Sequence, residues 1–312
     1  MLMRLIEWKR DTITTLIVHT PAKINVFLKV LGQRADGYHE LDTIMVAVNL
    51  YDTLRFDTIP EPGSTGQITL TSRWMIDAPQ ENLPVIPDDG RNLVVKAAEL
   101  LKRYVGRPEL SVSVLLFKRI PAEAGMGGGS SDAAATLVGL NRFWQLGLRV
   151  DELHALAAEL GSDLNFFLSS DPVAKCSGRG EQIEPIPDLA PLYAVIIKPW
   201  SGLSTKAVFD AYHAHAMNVD YASDRVLAVW KKESAIPGSL VFNALQAGAS
   251  RVNSDVSKIL KHLSLLPQTT GIMTGSGTAC VALVRTADEG AQLARHLRIQ
   301  QHGFVVSVRS SL

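Results

Sequence analysis

Residues 121–140 read PAEAGMGGGSSDAAATLVGL. Gly125, Gly127, Gly128 and Gly129, then Ser130 and Ser131, stand directly against an alanine-rich apolar run. Glycine inside regular structure costs roughly 0.5–1 kcal/mol relative to alanine. A run with nothing larger than a hydroxymethyl from Gly127 to Ser131 therefore implies a backbone that something approaches closely. Upstream, ELSVSVLLFKRIP alternates Leu110, Val112, Val114 and Leu116, the period of a half-buried strand. Downstream, the apolar run reads as a helix with Ser130 or Ser131 as its N-cap. Strand, glycine loop and helix follow in that order. The spare N–H groups of the first helical turn favour an anion by about 0.3–1 kcal/mol per contact, up to ~2 kcal/mol when partly buried. The stretch predicts a polyphosphate cradle; a tight turn packed on a helix is the plainer reading of the same residues.

Two familiar glycine signatures do not fit. In the dinucleotide fingerprint G-x-G-x-x-G the last glycine, counted from Gly125, would fall on Ser130, and no Gly-Lys-Ser/Thr follows to complete the nucleotide triphosphatase loop. A nicotinamide oxidoreductase is disfavoured accordingly. Asp132 stays open between complementing the helix dipole and orienting a serine, a metal or a substrate group. Beside a bound phosphate its charge has to point away or be offset.

Across the 312 residues, 31 Lys plus Arg balance 31 Asp plus Glu, so no global field holds the chain on nucleic acid or an anionic membrane, and a phosphate site has to be local. The hydrophobic fraction of 46% and charged fraction of 20% are those of a globular chain, and the length predicts two lobes. Two cysteines, Cys176 and Cys280, lack the spacing of a disulfide framework or a zinc site and predict a reducing, cytoplasmic setting. At the N-terminus Glu7, Lys9, Arg10 and Asp11 interrupt the apolar residues before an export signal or membrane span can form.

Along the rest of the chain, residues 23–34 and 41–59 read as strands separated by the turn ADGYHE, and QITLTSR continues the pattern. Residues 77–90 crowd Pro, Gly and Asp into a loop. NLVVKAAELLKRYVG reads as a helix ending at Gly106, and DELHALAAELG as one opening at an Asp151 N-cap and closing at Gly161. PVAKCSG and EQIEPI form a hairpin around Arg179-Gly180. Past IPDLAP the texture resets: strand YAVIIKP, helix STKAVFDAYHAH, mixed helices to about Leu266, GIMTGSGTACVALV, helix DEGAQLARHLR and strand FVVSVRS.

On these residues the chain resembles the GHMP kinase superfamily, whose phosphate loop has the form P-x-x-x-G-L-G-S/G-S/G-S-S. Here it stands as PAEAGMGGGSS, with Met126 in the usual leucine place. Three further stretches narrow the resemblance. PAKINVFLKVLGQRADGYHELDTI (residues 21–44), LGSDLNFFL (160–168) and MTGSGTACVAL (273–283) are similar, in order and spacing, to the members that act on a cytidine diphosphate-linked methylerythritol in the non-mevalonate isoprenoid route. The departures are Asn165 where proline is common, the leader before Thr20 and an enlarged segment around Arg73 to Gly90. The resemblance implies an α+β, two-lobed GHMP kinase fold. Residues 1–187 would form an N-terminal lobe with a mixed sheet and the phosphate loop, and residues 188–312 a C-terminal ferredoxin-like α/β lobe on the substrate side, with nucleotide and substrate meeting in the cleft between them.

The implied reaction is ATP-dependent phosphorylation of the substrate's 2-hydroxyl, with Mg2+ accompanying ATP although no metal ligand is legible. Its rivals are another GHMP substrate, such as homoserine or a mevalonate derivative, and a catalytically silent nucleotide-binding protein. By resemblance Pro121, Gly125, Met126, Gly127, Gly128, Gly129 and Ser130 or Ser131 hold the ATP phosphates, with Asn92 and Lys118 near the nucleotide. The family's catalytic Asp and Lys fall on Asp163 and Lys23, and whether Asp163 removes the proton or orients the hydroxyl stays open. Tyr38 would stack on the cytosine and His39 bond its edge. Phe209 would cover the other face, Thr205 lie nearby and Asn25 contact the erythritol end. Thr274 and Gly275 would bring amides toward the substrate's phosphate or the methylerythritol. A monomer or weak homodimer, without nucleic-acid or membrane partners, is expected.

Overall fold

The computed structural model describes residues 5–12, 14–59, 65–169, 171–212, 218–267, 269–300 and 303–311. Two compact units interleave along the chain: one drawn from Met1–Ala22, Leu50–Ile120 and Gly127–Ser170, the other from Lys23–Asn49, Pro121–Met126 and Asp171–Leu312.

The first unit contains β1 (Glu7–Thr12), the opening residues of β2 (Thr15–Gln33), the closing residues of β3 (His39–Asp57), β4 (Ile68–Trp74), α1 (Leu93–Val105), β5 (Val112–Lys118), α2 (Gly128–Phe143), α3 (Val150–Leu160) and α4 (Leu164–Phe167). Its pairing is mixed: β1 runs antiparallel to β2 with Glu7 opposite His19, β3 antiparallel to β5 with Thr53 opposite Phe117, and β4 parallel to β5 with Ile68 opposite Val112. Within the leader before Thr20, β1 is exposed, with the Arg142 guanidinium 4.1 Å over the Trp8 ring, whereas Leu16 and Val18 at the start of β2 are buried. Beyond β4, the enlarged segment contains a short 3-10 turn at Gln80–Asn82 and is pinned where Trp74 Nε1 donates to Pro84 O at 2.9 Å.

Helix α1 forms where predicted, because Asn92 accepts from the Val94 amide as N-cap and Gly106 closes it in the left-handed region. Helix α2 is buried from Ser131 to Leu140, so its apolar residues contribute all round rather than on one stripe. A fully buried Leu such as Leu137 contributes roughly 1.5–3 kcal/mol.

Two predicted caps shift. Helix α2 starts after Gly127, at φ 69°, so both serines lie inside its first turn. Helix α3 is capped by Arg149, whose amide donates to the Glu152 carboxylate at 2.9 Å; Asp151 sits in the first turn, complementing the dipole. Gly161 ends α3 as expected.

The second unit takes the remainder of β2 and β3 and adds the hairpin β6 (Val173–Gly178) and β7 (Gln182–Pro185) around Arg179-Gly180. Then follow β8 (Tyr193–Lys198), α5 (Thr205–Asp210), α6 (Ser223–Glu233), β9 (Phe242–Asn243), α7 (Gln246–Val252), α8 (Ser254–Ser264), β10 (Thr270–Met273), β11 (Cys280–Val284), α9 (Ala287–Ile299) and β12 (Phe304–Arg309). Helix α5 is shorter than the predicted STKAVFDAYHAH, of which residues 213–215 lie outside the described residues. An antiparallel sheet in the order β10-β11-β8-β12, with helices between β8 and β10 and between β11 and β12, is the split β-α-β path of a ferredoxin-like lobe. Strand β8 lies inside it and is buried from Ala194 to Lys198. Among the described residues no helix is long and apolar enough to cross a membrane.

Candidate active site

The alternation of β5 places Lys118 on the same buried face as Val112, Val114 and Leu116. A buried ammonium requires partners. It finds two: Asp52 on β3, and Asp132 on α2 at 2.7 Å. The other Asp52 oxygen accepts from the amides of Arg119, at 2.5 Å, and Ile120, at 2.9 Å. Burial opposes the charge of Lys118, but the two carboxylates outweigh it and hold the ammonium above the ordinary lysine range. Burial pushes Asp132 up to about 8, with Lys118 pulling it back and Asp52 reinforcing the rise. Below that pH Asp132 therefore holds its proton and presents little negative charge to the loop, while its Oδ2 still accepts from Lys118. A Cβ at Gly128 would stand 3.2 Å from Lys118 Nζ and 3.0 Å from Ile120 Cγ2, so glycine lets the loop lie close on the ammonium where a larger residue would press on both side chains.

Above this triad Gly129 is exposed and Ser130 half-buried, whereas Ser131 is buried, its hydroxyl donating to Pro21 O at 2.6 Å beside Thr20 Oγ1. Of the two serines left open by the sequence, Ser130 is the one at the surface. Asn92 clamps its loop, donating to Pro87 O at 2.7 Å. Asp163 is half-buried at the N-terminus of α4. Asn165, in the place where proline is common, ties α4 to α3 through His154 Nδ1 at 3.1 Å.

In the second unit, Met126 O accepts the Lys23 amide at 3.0 Å. Lys23, 4% exposed, directs Nζ to Asn25 Oδ1 at 2.7 Å; Asn25 donates Nδ2 to Thr43 and its amide to the buried Thr274 hydroxyl. The remaining residues of the Thr274–Thr278 motif buttress the loop through backbone. Glu123 O accepts from Thr278, Ala124 O from Ala279, and Gly125, at φ 71°, approaches so closely that a Cβ would stand 2.2 Å from Thr274 O. Asn243 fixes the motif by donating to Met273 O and Gly275 O. The Lys198 ammonium, pushed down to about 8 by burial, donates to the carbonyls of Pro199 and Ser201, and the latter also accepts from Thr278 Oγ1.

The turn before β3 presents the aromatic group. Tyr38 is 56% exposed, while the His39 ring stacks on Phe209 at 4.8 Å and 26° with Tyr212 edge-on at 6.1 Å. The exposed Thr205 bonds Ser276 Oγ at 2.8 Å.

The structure thus gathers Lys23, Asn25, Met126 and Thr274, gathers His39 and Phe209, and sets Lys118 under the glycine loop. Lys23 belongs to one compact unit and Asp163 to the other. Sequence reasoning missed Asp52, Asn243, Lys198 and Tyr212. Only Tyr212, one helical turn after Phe209, carried a local signal.

Residues 92–171 match the family described as GHMP kinases N terminal domain. A relative from Geobacillus sp. (strain WCH70), named 4-diphosphocytidyl-2-C-methyl-D-erythritol kinase, is 37% identical over 86% of this chain and 88% of its own. A solved structure of 4-(cytidine 5'-diphospho)-2C-methyl-D-erythritol kinase superposes with a TM-score of 0.75 at 30% identity, covering 95% of this chain and 100% of that one. Homoserine kinase from Cytophaga hutchinsonii shares the fold, with a TM-score of 0.67 at 16% identity over 97% of this chain and 96% of its own. By this extent of likeness, the chain belongs to the 4-diphosphocytidyl-2-C-methyl-D-erythritol kinase family of GHMP kinases.

Proposed function

We propose that the protein transfers the terminal phosphoryl group of ATP to the 2-hydroxyl of 4-diphosphocytidyl-2-C-methyl-D-erythritol, giving the 2-phosphate and ADP in the non-mevalonate route to isopentenyl diphosphate. Family membership supports the substrate. The observation that carries the chemistry is a glycine loop at a helix start, seated on the Lys118 ammonium.

Phosphoryl transfer asks a protein for positioning and for charge stabilisation more than for covalent chemistry. The amides of Gly127 to Ser130 hold phosphate oxygens at the positive end of α2. Gly125 and Met126 shape the approach, and Asn92 borders the nucleotide. Lys118 contributes its charge from below the loop. Asp163 accepts or orients the proton of the attacking hydroxyl, and Lys23 supplies positive charge to the reacting groups while holding Asn25. Tyr38 and His39 receive the cytosine, with Phe209 fixing the His39 ring and Thr205, Thr274 and Gly275 bordering the substrate.

Among the described residues no three His, Cys, Asp or Glu side chains gather into a metal cage. The oxygen donors present, led by the Ser130 hydroxyl, suit a Mg2+ ion that arrives on the triphosphate and keeps most of its waters. When bound, Mg2+ would neutralise charge between the phosphates. We assign residues 1–187 to the nucleotide and catalytic lobe and 188–312 to the substrate lobe of a cytoplasmic monomer or weak homodimer.

The test is turnover. Incubated with ATP, Mg2+ and a panel of cytidine-linked and free polyols, the protein should release ADP only with the cytidine diphosphate-linked methylerythritol. ADP release with homoserine or mevalonate instead would replace this reading. Tyr38→Ala and His39→Ala should each raise the substrate KM about 5-fold to 100-fold, the scale of one lost base-stacking contact, while the ATP KM changes less than 2-fold. Equal losses for both ligands would indicate unfolding rather than lost recognition.

A further inference from the structure

The hairpin turn between β6 and β7 brings a guanidinium to the aromatic turn, with Arg179 Cζ 4.8 Å over the Tyr38 ring. We propose that Arg179 is a specificity residue that binds the diphosphate of the substrate. The inference rests on the cytidine-linked reading above and adds to it the group that tells a cytidine diphosphate from a bare cytidine.

The position of Arg179 is set by backbone. Gly180 donates to Ser177 O at 3.0 Å, Arg179 N to Glu181 at 2.5 Å, and Gly178 N to Glu40 Oε1 at 3.0 Å. The second Glu40 oxygen holds Arg34 at 2.8 Å, and the Arg34 amide donates to Tyr38 O at 2.7 Å. Glu40 therefore ties the two turns together, which sets the backbone of Arg179 within reach of the Tyr38 ring.

Charge separates the two arginines of this surface. Arg34 is committed to Asp36 at 3.2 Å and Glu40 at 2.8 Å, and these hydrogen bonds hold its pKa above the ordinary arginine value. Arg179 has its ion-pair contact at 3.9 Å, from Nε to Glu181, too long for a hydrogen bond, and its side chain is 32% exposed. A guanidinium with one face on an aromatic ring keeps its in-plane N–H fork for a ligand, and that fork matches phosphate oxygens in pairs. The chain's 31 acidic and 31 basic residues supply no general attraction for the substrate's diphosphate, so the cation that selects it has to be local.

The experiment measures cytidine and cytidine diphosphate as competitive inhibitors against the substrate, with the whole chain and its Arg179→Ala and Arg179→Lys variants. Loss of charge-assisted hydrogen bonds should weaken cytidine diphosphate about 10-fold to 100-fold in Arg179→Ala, leave cytidine within about 2-fold, and leave the ATP KM unchanged. Arg179→Lys should recover part of the loss, since lysine keeps the charge without the planar fork. Equal weakening of both inhibitors, or undiminished binding of cytidine diphosphate, would overturn the assignment. If the unmodified protein binds neither inhibitor, the cytidine-linked reading fails before Arg179 is tested.

Discussion

Asp163→Ala and Lys23→Ala should each lower kcat by about 10²-fold to 10⁴-fold, the contribution of a positioned acid-base group, with nucleotide affinity kept. The expectation follows from where each side chain is held. Asp163 stands half-buried at the start of α4, on a turn created by the end of α3 at Gly161, and the Asn165–His154 bond keeps that turn in place when the carboxylate is removed. Lys23→Ala removes the donor to Asn25 Oδ1 but not the backbone bond from residue 23 to Met126 O, so the phosphate loop keeps its support. Single-turnover rates and calorimetric titration with a non-hydrolysable ATP analogue separate the two quantities. A turnover unchanged in both variants would show that neither side chain acts on the hydroxyl. Asp163→Asn, which keeps the volume and loses only the charge, guards against reading a packing defect as a chemical one.

Local pattern made much of this molecule legible. The alternation in β5, the helix between Asn92 and Gly106, the hairpin around Arg179-Gly180 and the strand–loop–helix order are all set by residues within one element of each other. The errors also have local causes. Serine is a common N-cap, but the left-handed turn at Gly127 starts α2 early and buries the Ser131 hydroxyl against Pro21 O. What stayed hidden depends on partners far apart in sequence. Asp52 reaches Lys118 across 66 positions and Asn25 reaches Thr274 across 249, and no periodicity announces either pair. Also hidden was the seat of the motif at residues 274–278 on residues 123–125 of the phosphate loop, where Thr278 N donates to Glu123 O and Gly125 packs on Thr274 O. The interleaving of the two units was equally illegible. Strands β2 and β3 run 19 residues each and pass from one unit into the other, while hydrophobic alternation reports only which face is buried.

The Asp52–Lys118–Asp132 triad is where a substitution should cost most in stability. Lys118→Met removes the ammonium that bonds two carboxylates, Asp52 fully buried and Asp132 3% exposed. Breaking a buried pair from one side costs about 3–5 kcal/mol, because the remaining charge is left in a poor dielectric. Asp132, raised to about 8, holds its proton below that pH, so the larger share falls on Asp52, which keeps the amides of Arg119 and Ile120 but loses its ammonium. Adding Asp132→Asn to Lys118→Met should therefore recover little of the loss below pH 8. A pH series gives an independent check. The folded pKa of Asp132, about 8, lies above the ordinary aspartate value of 3.8, so the folded state holds the extra proton between these values and stability falls as pH rises through that window. The slope approaches roughly 1.4 kcal/mol per pH unit for a single group, and it should flatten in Asp132→Asn. Lys118, raised by its carboxylates, contributes stability that is fully present below its ordinary pKa, so it adds no slope of its own in this range. Denaturant midpoints for the two single variants and the double variant between pH 5 and 8 read all of these quantities. A Lys118→Met protein as stable as the parent, or an Asp132→Asn protein with the parent's pH slope, would mean that the triad's charges are not balanced in the way the geometry indicates.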